Sequence, residues 1–360
     1  MARIKKLQDK MAKTSCDAVL ISSEINQRYL TGFPYTDGYV LVLRDTAYLL
    51  ADFRYIEAAR AAVSSDDCQV VMPDCSMVRY VASLLEDHKV NTLLYEEETL
   101  SCAMFERFRE FFPKAVTLTS GASGILNDLR IFKDADEIEC IKRAQKITDD
   151  AFSHILNYIT PERTEIDVAL ELEFFMRSHG SEGTAFETIA VSGKATALPH
   201  GVPRPVKLEK GFFTMDFGAR VDGYCADMTR TIVLGKADED MKRLYNTVLR
   251  AQRAALDAAH EGIGCAEMDK IARDIIDEGG YKGCFGHSLG HGVGLYVHEN
   301  PRFASSVPAN STFSRGNVVT VEPGIYMEGK YGCRIEDMIT VLSDGTVYNF
   351  TKSPKELIEL

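Results

Sequence analysis

Short apolar runs alternate with stretches of helical spacing along the first third of the chain. AVLIS at 18–22 has strand length, GYVLVL and TAYLLA follow around the two-residue turn Arg44-Asp45, and an Ala-rich segment from about Phe53 to Val63 reads as helix. QVVM (69–72), TLLY (92–95) and AVTL (115–118) continue the strands, separated by helical stretches near 76–88 and 101–112. This alternation predicts a small α/β domain over residues 1–124, ending at the Gly121-Ala-Ser-Gly124 punctuation.

The pattern then changes. Ile138, Ile141, Ala144, Ile147, Ala151 and Ile155 recur at helical spacing after a capping Asp134 with Glu137 three residues on. A second helix follows Thr164 and stops at Gly180, and strand-like segments run from about 186 to 234. The order repeats with a helix from Asp238 to His260, another from about Ala266 to Glu278, and strands from about 291 to 348. Residues 125–360 therefore read as one larger domain of two similarly ordered halves, each helix, helix, strands, with sheets packed together and helices outside. The duplication rests on element order alone.

Several acidic residues interrupt this pattern where strands prefer apolar ones. TMDFGARVDGYCADMTRTIVL reads as two strands around Asp222-Gly223, a favoured two-residue hairpin turn. That register puts Asp216 opposite Thr229 and diagonal to Asp227 on the same face, with β-carbons roughly 7 Å apart. Two carboxylates at that range repel unless a cation lies between them. The competing arrangement pairs Asp227 with Arg230, but their opposite parity points them to opposite faces of a regular strand. Glu322 ends the run NVVTVEPG and Glu336 sits within GCRIEDMITVL, where a structural ion pair with Arg334 is the alternative to metal ligation. HSLGHGVGLYVHE places His287, His291 and His298 around glycines that let the backbone approach a ligand closely. His200, in ALPHGVP, is a weaker candidate. Four carboxylates and a histidine suffice to hold two divalent ions.

Composition narrows the class. The 360 residues are 45% hydrophobic and carry a formal charge of −12 without a basic stripe, which argues against nucleic acid and for a small ligand or peptide. No apolar run approaches a membrane span, and the charged amphipathic start is no signal core, so a cytoplasmic protein is expected. The nine cysteines are scattered singly with no C-x-x-C pair and read as reduced, buried thiols.

The order Asp216-x10-Asp227, GHGVG around His291, VEPG containing Glu322 and R-x-E ending on Glu336 resembles the M24 metallopeptidase family. The resemblance covers the whole chain. Residues 1–124, with RYLTGF at 28–33, resemble the creatinase-type N-terminal domain, and residues 125–360 the pita-bread catalytic domain with its internal pseudo-twofold repeat. An N-terminal domain of this kind implies the proline-specific branch, aminopeptidase P and prolidase. The resemblance further implies that Asp216 binds one metal, His291 and Glu322 the other, and that Asp227 and Glu336 bridge the two. It assigns His200 and His298 to substrate contact and transition-state stabilisation, and His287 and Arg334 to lining the pocket or supporting the ligands from behind; the charge balance of the site makes Glu322 the expected proton shuttle. Manganese is the first expectation for the two ions, with cobalt or zinc also compatible with the donors. The expected activity is hydrolysis of the Xaa-Pro bond at the N-terminus of proline-containing peptides by an Xaa-Pro aminopeptidase, with an Xaa-Pro dipeptidase as the alternative. A metal-free creatinase-type hydrolase and a catalytically silent peptide-binding protein are less well matched, since all five ligand positions are intact. A homodimer is implied by the family alone.

Overall fold

The computed structural model describes residues 2–64, 66 and 68–360, which divide into two compact units, Met1–Arg130 and Ile131–Leu360. The first unit runs α1 (Ala2–Met11), β1 (Ala18–Ile21), α2 (Glu24–Thr31), β2 (Tyr39–Leu43), β3 (Ala47–Leu50), α3 (Ile56–Ala62), β4 (Gln69–Val71), α4 (Met77–Asp87), β5 (Thr92–Tyr95), α5 (Cys102–Phe111), β6 (Thr117–Ser120) and α6 (Ala122–Arg130). Its six strands form one sheet in the order β4-β3-β2-β1-β5-β6. The β2–β3 hairpin turns at Arg44-Asp45 as the sequence predicts, with Leu43 N donating to Thr46 O at 2.8 Å.

Two helices here escape the hydrophobic pattern. The inner side of α2 is polar: Asn26 and Gln27 are buried, and Asn26 donates to the buried Glu96 carboxylate at 2.6 Å. Helix α6 starts inside the Gly121–Gly124 segment where the domain was expected to end. It buries Leu126 completely, and its last residue, Arg130, bonds Asn26 and Asn127, so the first unit closes at Arg130.

The second unit repeats a simple plan. Helices α7 (Ala135–Tyr158) and α8 (Glu165–Ser178) precede β7 (Gly183–Thr184), β8 (Ile189–Ser192), β9 (Gly211–Phe217), β10 (Ala219–Val221), β11 (Tyr224–Cys225) and β12 (Met228–Leu234). Helices α9 (Glu239–Ala258) and α10 (Cys265–Ile276) precede β13 (Gly290–Gly292), β14 (Glu299–Phe303), β15 (Val318–Val321), β16 (Gly324–Met327), β17 (Tyr331–Arg334), β18 (Asp337–Val341) and β19 (Val347–Asn349). The capping box of Asp134 and Glu137 opens α7, and Thr164 with Asp167 forms a second one at α8. The tripeptide Arg-Ala-Gln recurs in the first helix of each half, at 143–145 and 250–252, with both glutamines wholly buried.

Strand alternation orients the site. In β9, Phe213, Met215 and Phe217 pack with Phe152, Leu172 and Met176 of α7 and α8, so Phe212, Thr214 and Asp216 take the other face. The pairing is Asp216 with Thr229 and Thr214 with Thr231, in the predicted register, around a turn in which Asp222 and Gly223 have φ of 50° and 82°. In the second half, Val319, Val321, Ile339 and Val341 join the α9–α10 core. Glu322 and Glu336, of opposite parity, point away from that core. Asp227 and Glu336 lie in breaks, between β11 and β12 and between β17 and β18.

Arg230, 1% exposed, faces away from Asp227. It donates to Asp337 Oδ1 and Ser353 O, both at 2.8 Å, to Pro354 O at 3.0 Å and to Glu336 O at 2.5 Å. One guanidinium thus ties β12 to β18 and to the C-terminal segment. Asp337→Ala strands that charge inside the protein and is expected to cost about 3–5 kcal/mol in a denaturant titration; a loss below about 1 kcal/mol would show that the pair holds nothing together.

Candidate metal centre

All nine residues singled out in the sequence line one cavity of about 620 Å³ within the second unit: His200, Asp216, Asp227, His287, His291, His298, Glu322, Arg334 and Glu336. Donor atoms of Asp227, His291 and Glu336 lie within 4.8 Å of one another, and all three residues are buried. His291 Nε2 is 3.3 Å from Glu322 Oε1 and 3.6 Å from Asp227 Oδ2, while its Nδ1 donates to Gly292 O at 3.1 Å. The outward nitrogen is therefore left with its lone pair directed at the carboxylates. Burial, reinforced by His298, pushes the His291 pKa down to about 3, so the ring stays neutral and suited to ligation.

The carboxylates are held under mutual stress. Burial pushes the Glu322 carboxyl up to about 8, with Asp216 adding to the shift and Arg334 opposing it. Asp227 is raised well above the ordinary range by burial and then by Glu336, Asp216 and Glu322; Glu336 is raised by burial and then by Glu322 and Asp216. Asp216 Oδ1 is buried without a hydrogen-bond partner. An orphaned carboxylate oxygen, three proton-hungry neighbours and a neutral imidazole together fit divalent cations of the oxygen-and-nitrogen-loving kind.

Surrounding side chains fix these groups. Thr229 Oγ1 donates to Glu336 Oε2 at 2.7 Å, and Thr320 Oγ1 donates to Glu322 Oε1 at 3.3 Å while accepting from His291 N at 3.0 Å. Arg334 is held by neither glutamate. It donates to Asp216 Oδ2 at 2.6 Å, Thr229 Oγ1 at 2.9 Å and Tyr326 OH at 2.6 Å. With these partners and 4% exposure, it lines the cavity as expected but is not free to capture a substrate carboxylate. Tyr326 OH donates to His287 Nε2 at 2.9 Å, and His287 Nδ1 donates to Ser288 O at 2.8 Å; burial and then Arg334 push the His287 pKa down to about 4. His298 stands edge to face with His291, ring centroids 4.3 Å apart, and is lowered by burial, Arg302 and His200. Thr229 entered the sequence reading only as the residue opposite Asp216, and Thr320, Tyr326 and Arg302 did not enter it. The two threonines were legible in principle, as strand residues on the ligand face; Tyr326 and Arg302 sit on strands whose exposure no periodicity reveals.

Comparison with known proteins identifies the family. Residues 139–343 match the model of metallopeptidase family M24, and residues 3–132 match the creatinase/prolidase N-terminal domain. The chain belongs to the M24 metallopeptidases, a family that works with divalent metal ions. It is 36% identical to an Xaa-Pro dipeptidase of Pyrococcus furiosus, over 99% of each chain. An Xaa-Pro dipeptidase structure from Bacillus anthracis superposes with a TM-score of 0.95 at 39% identity, covering 100% of this chain and 99% of that one. An X-Pro aminopeptidase structure from Thermotoga maritima superposes with a TM-score of 0.90 at 34% identity, covering 98% and 99%. The pita-bread fold with a creatinase-type N-terminal domain is thus the architecture of the chain.

The raised carboxyls set a pH dependence. A group such as Glu322, protonated more readily in the metal-free fold than at its ordinary 4.5, stabilises that fold below 4.5 and loses the contribution as pH rises towards about 8. A divalent ion displaces those protons, so its stabilisation should grow over the same interval. The gap in Tm between manganese-loaded and chelated protein is expected to widen as pH rises from 4.5 to about 8; a gap that narrows would contradict the assignment.

Proposed function

We propose that the chain is a dinuclear metallo-exopeptidase that hydrolyses the bond between the first residue and a following proline, acting as an Xaa-Pro aminopeptidase. The observation that carries this reading is the convergence in one cavity of Asp216, Asp227, His291, Glu322 and Glu336, with every donor buried or nearly so and too little positive charge among them. Asp216 would serve one ion, His291 and Glu322 the other, and Asp227 and Glu336 both. Manganese suits one nitrogen and many oxygens, with cobalt and zinc as alternatives. Two such ions supply Lewis acidity and a water of lowered pKa.

The chain's own residues perform the remaining work. The Glu322 carboxylate takes the proton of the attacking water and returns it to the proline nitrogen as the C–N bond breaks. His200 and His298 face the cavity where the carbonyl oxygen gains charge and donate to it. Phe186, Ile189, Pro199, Val202, Pro203 and Val297 form an apolar wall suited to a proline ring. An Xaa-Pro bond has no N–H, so the wall needs no acceptor for it.

Dipeptidase action is the second reading, and one residue favours it. Arg302 lines the cavity from the exposed side of β14 and forms no ion pair among the described residues, so a dipeptide's free carboxylate would meet a cation there. The reading also includes a homodimer and cytoplasmic residence. All nine cysteines are free, and no helix of the described residues is long and apolar enough to cross a membrane. Light scattering should give twice the monomer mass.

Chelated protein should be inactive on Xaa-Pro peptides and regain turnover with manganese, and Glu336→Ala should lose about a thousandfold in kcat while staying folded; activity indifferent to chelator would overturn the reading. Comparing an Xaa-Pro dipeptide with an Xaa-Pro-Yaa tripeptide decides between the two forms: the tripeptide should be the better substrate, and a marked dipeptide preference abolished by Arg302→Ala would establish the dipeptidase.

A further inference from the structure

His298 rides on an irregular segment. After β13 bulges between His291 and Gly292, the chain leaves the strand and residues 294–298 form bends until β14 begins at Glu299. Such a segment holds a side chain in place only as well as it is tied. Three backbone hydrogen bonds tie its first half: Val293 N to Val318 O at 3.0 Å, Gly294 N to Tyr296 O at 2.9 Å and Cys225 N to Gly294 O at 2.8 Å. The half that carries His298 is tied through a carboxylate. Glu299 Oε1 accepts from Tyr296 N at 3.1 Å, closing the turn, and Glu299 Oε2 receives Lys133 Nζ at 3.0 Å.

The Lys133–Glu299 pair is sealed from solvent, its side chains 1% and 4% exposed. It also presses on the loop itself: a methyl group added at Gly294 would come within 2.6 Å of Glu299 Oε2 and 3.0 Å of Lys133 Cε. Lys133 is anchored in turn, its backbone N–H donating to Gly316 O at 2.8 Å. Removing the lysine takes away the cation with which this buried carboxylate is paired. The carboxylate would relax by turning outward, and the turn at Tyr296 would loosen with it.

We propose that Lys133, acting through Glu299, is a positioning residue for the reaction: it locks the Gly294–Glu299 turn and so keeps the His298 ring against the His291 ring at the cavity wall. The role assigned to His298 rests on the peptidase reading; the clamp itself does not.

Lys133→Met in the full-length, manganese-loaded protein tests it. Amides of 294–298 should exchange faster with solvent while metal content stays at the wild-type stoichiometry. On an Xaa-Pro peptide, kcat should fall about 10–100-fold, the scale seen when groups behind active-site ligands are lost. Adding His298→Ala to Lys133→Met should cost no more than about twofold beyond His298→Ala alone, since both act through one ring. Lys133→Arg, which keeps the charge, should restore most of the loss. Unchanged exchange in 294–298, or losses from Lys133→Met and His298→Ala that simply multiply, would overturn the proposal. Should Lys133→Met fail to fold, Gly294→Ala decides the matter by crowding both charged ends from the loop side: faster exchange with lower kcat supports the clamp, and wild-type exchange overturns it. If the wild-type protein cleaves no Xaa-Pro peptide, the peptidase reading fails, while the exchange measurements still decide the clamp.

Discussion

Four carboxylates forced into one cavity are the constraint on which the rest of the second unit depends. Burial raises the proton affinity of Asp227, Glu322 and Glu336, the Asp216 charge adds to each, and among the described residues Arg334 is the only guanidinium bonded to the four, already committed to Asp216. A hydrophobic core does not tolerate such a cluster without compensation. Protons supply it in the metal-free fold, and divalent cations supply it in the form proposed to be active. The neutral, backbone-oriented His291 belongs to the same balance, since a protonated ring would compete with the ions proposed to bind there.

The fold delivers these groups by interrupting its own sheets. Asp227 and Glu336 occupy breaks where the chain leaves one sheet for the next, which frees their carboxylates from the flat spacing of a regular strand. Glu336 N nevertheless donates to Thr229 O at 3.1 Å, and Arg334 N accepts no slack either, donating to Thr231 Oγ1 at 3.2 Å. The two halves are therefore joined by hydrogen bonds at the same place where they contribute the carboxylates and imidazole of the cavity. Behind that seam lies Arg230, whose bonds to β18 and the C-terminal segment leave little freedom for the backbone of Glu336.

Much of this was legible in the chain because strand alternation is strict. The turn at Asp222-Gly223 set the register of the hairpin, and the register set Asp216 opposite Thr229 on the face away from α7 and α8. The same parity sent Arg230 to the far side, away from Asp227. What stayed hidden has a common cause: it is polar structure that buries no apolar stripe. Helix α2 turns Asn26 and Gln27 inward, the Arg230–Asp337 pair joins residues distant in sequence, and the partner of Arg334 proved to be Asp216 rather than the neighbouring glutamates. Periodicity reports where hydrocarbon goes, and is silent about which charged groups meet. Pro323-Gly324 likewise obscured the facing of Glu322, which the packing of Val319 and Val321 against α9 and α10 resolves.

The central claim is that the five donors form a seat for two cations at the junction of the halves. Anomalous diffraction from crystals grown with manganese tests it most directly. The account predicts two peaks, both enclosed by Asp216, Asp227, His291, Glu322 and Glu336, with Asp227 and Glu336 contacting both. A single peak, or none among these residues at saturating manganese, would contradict it.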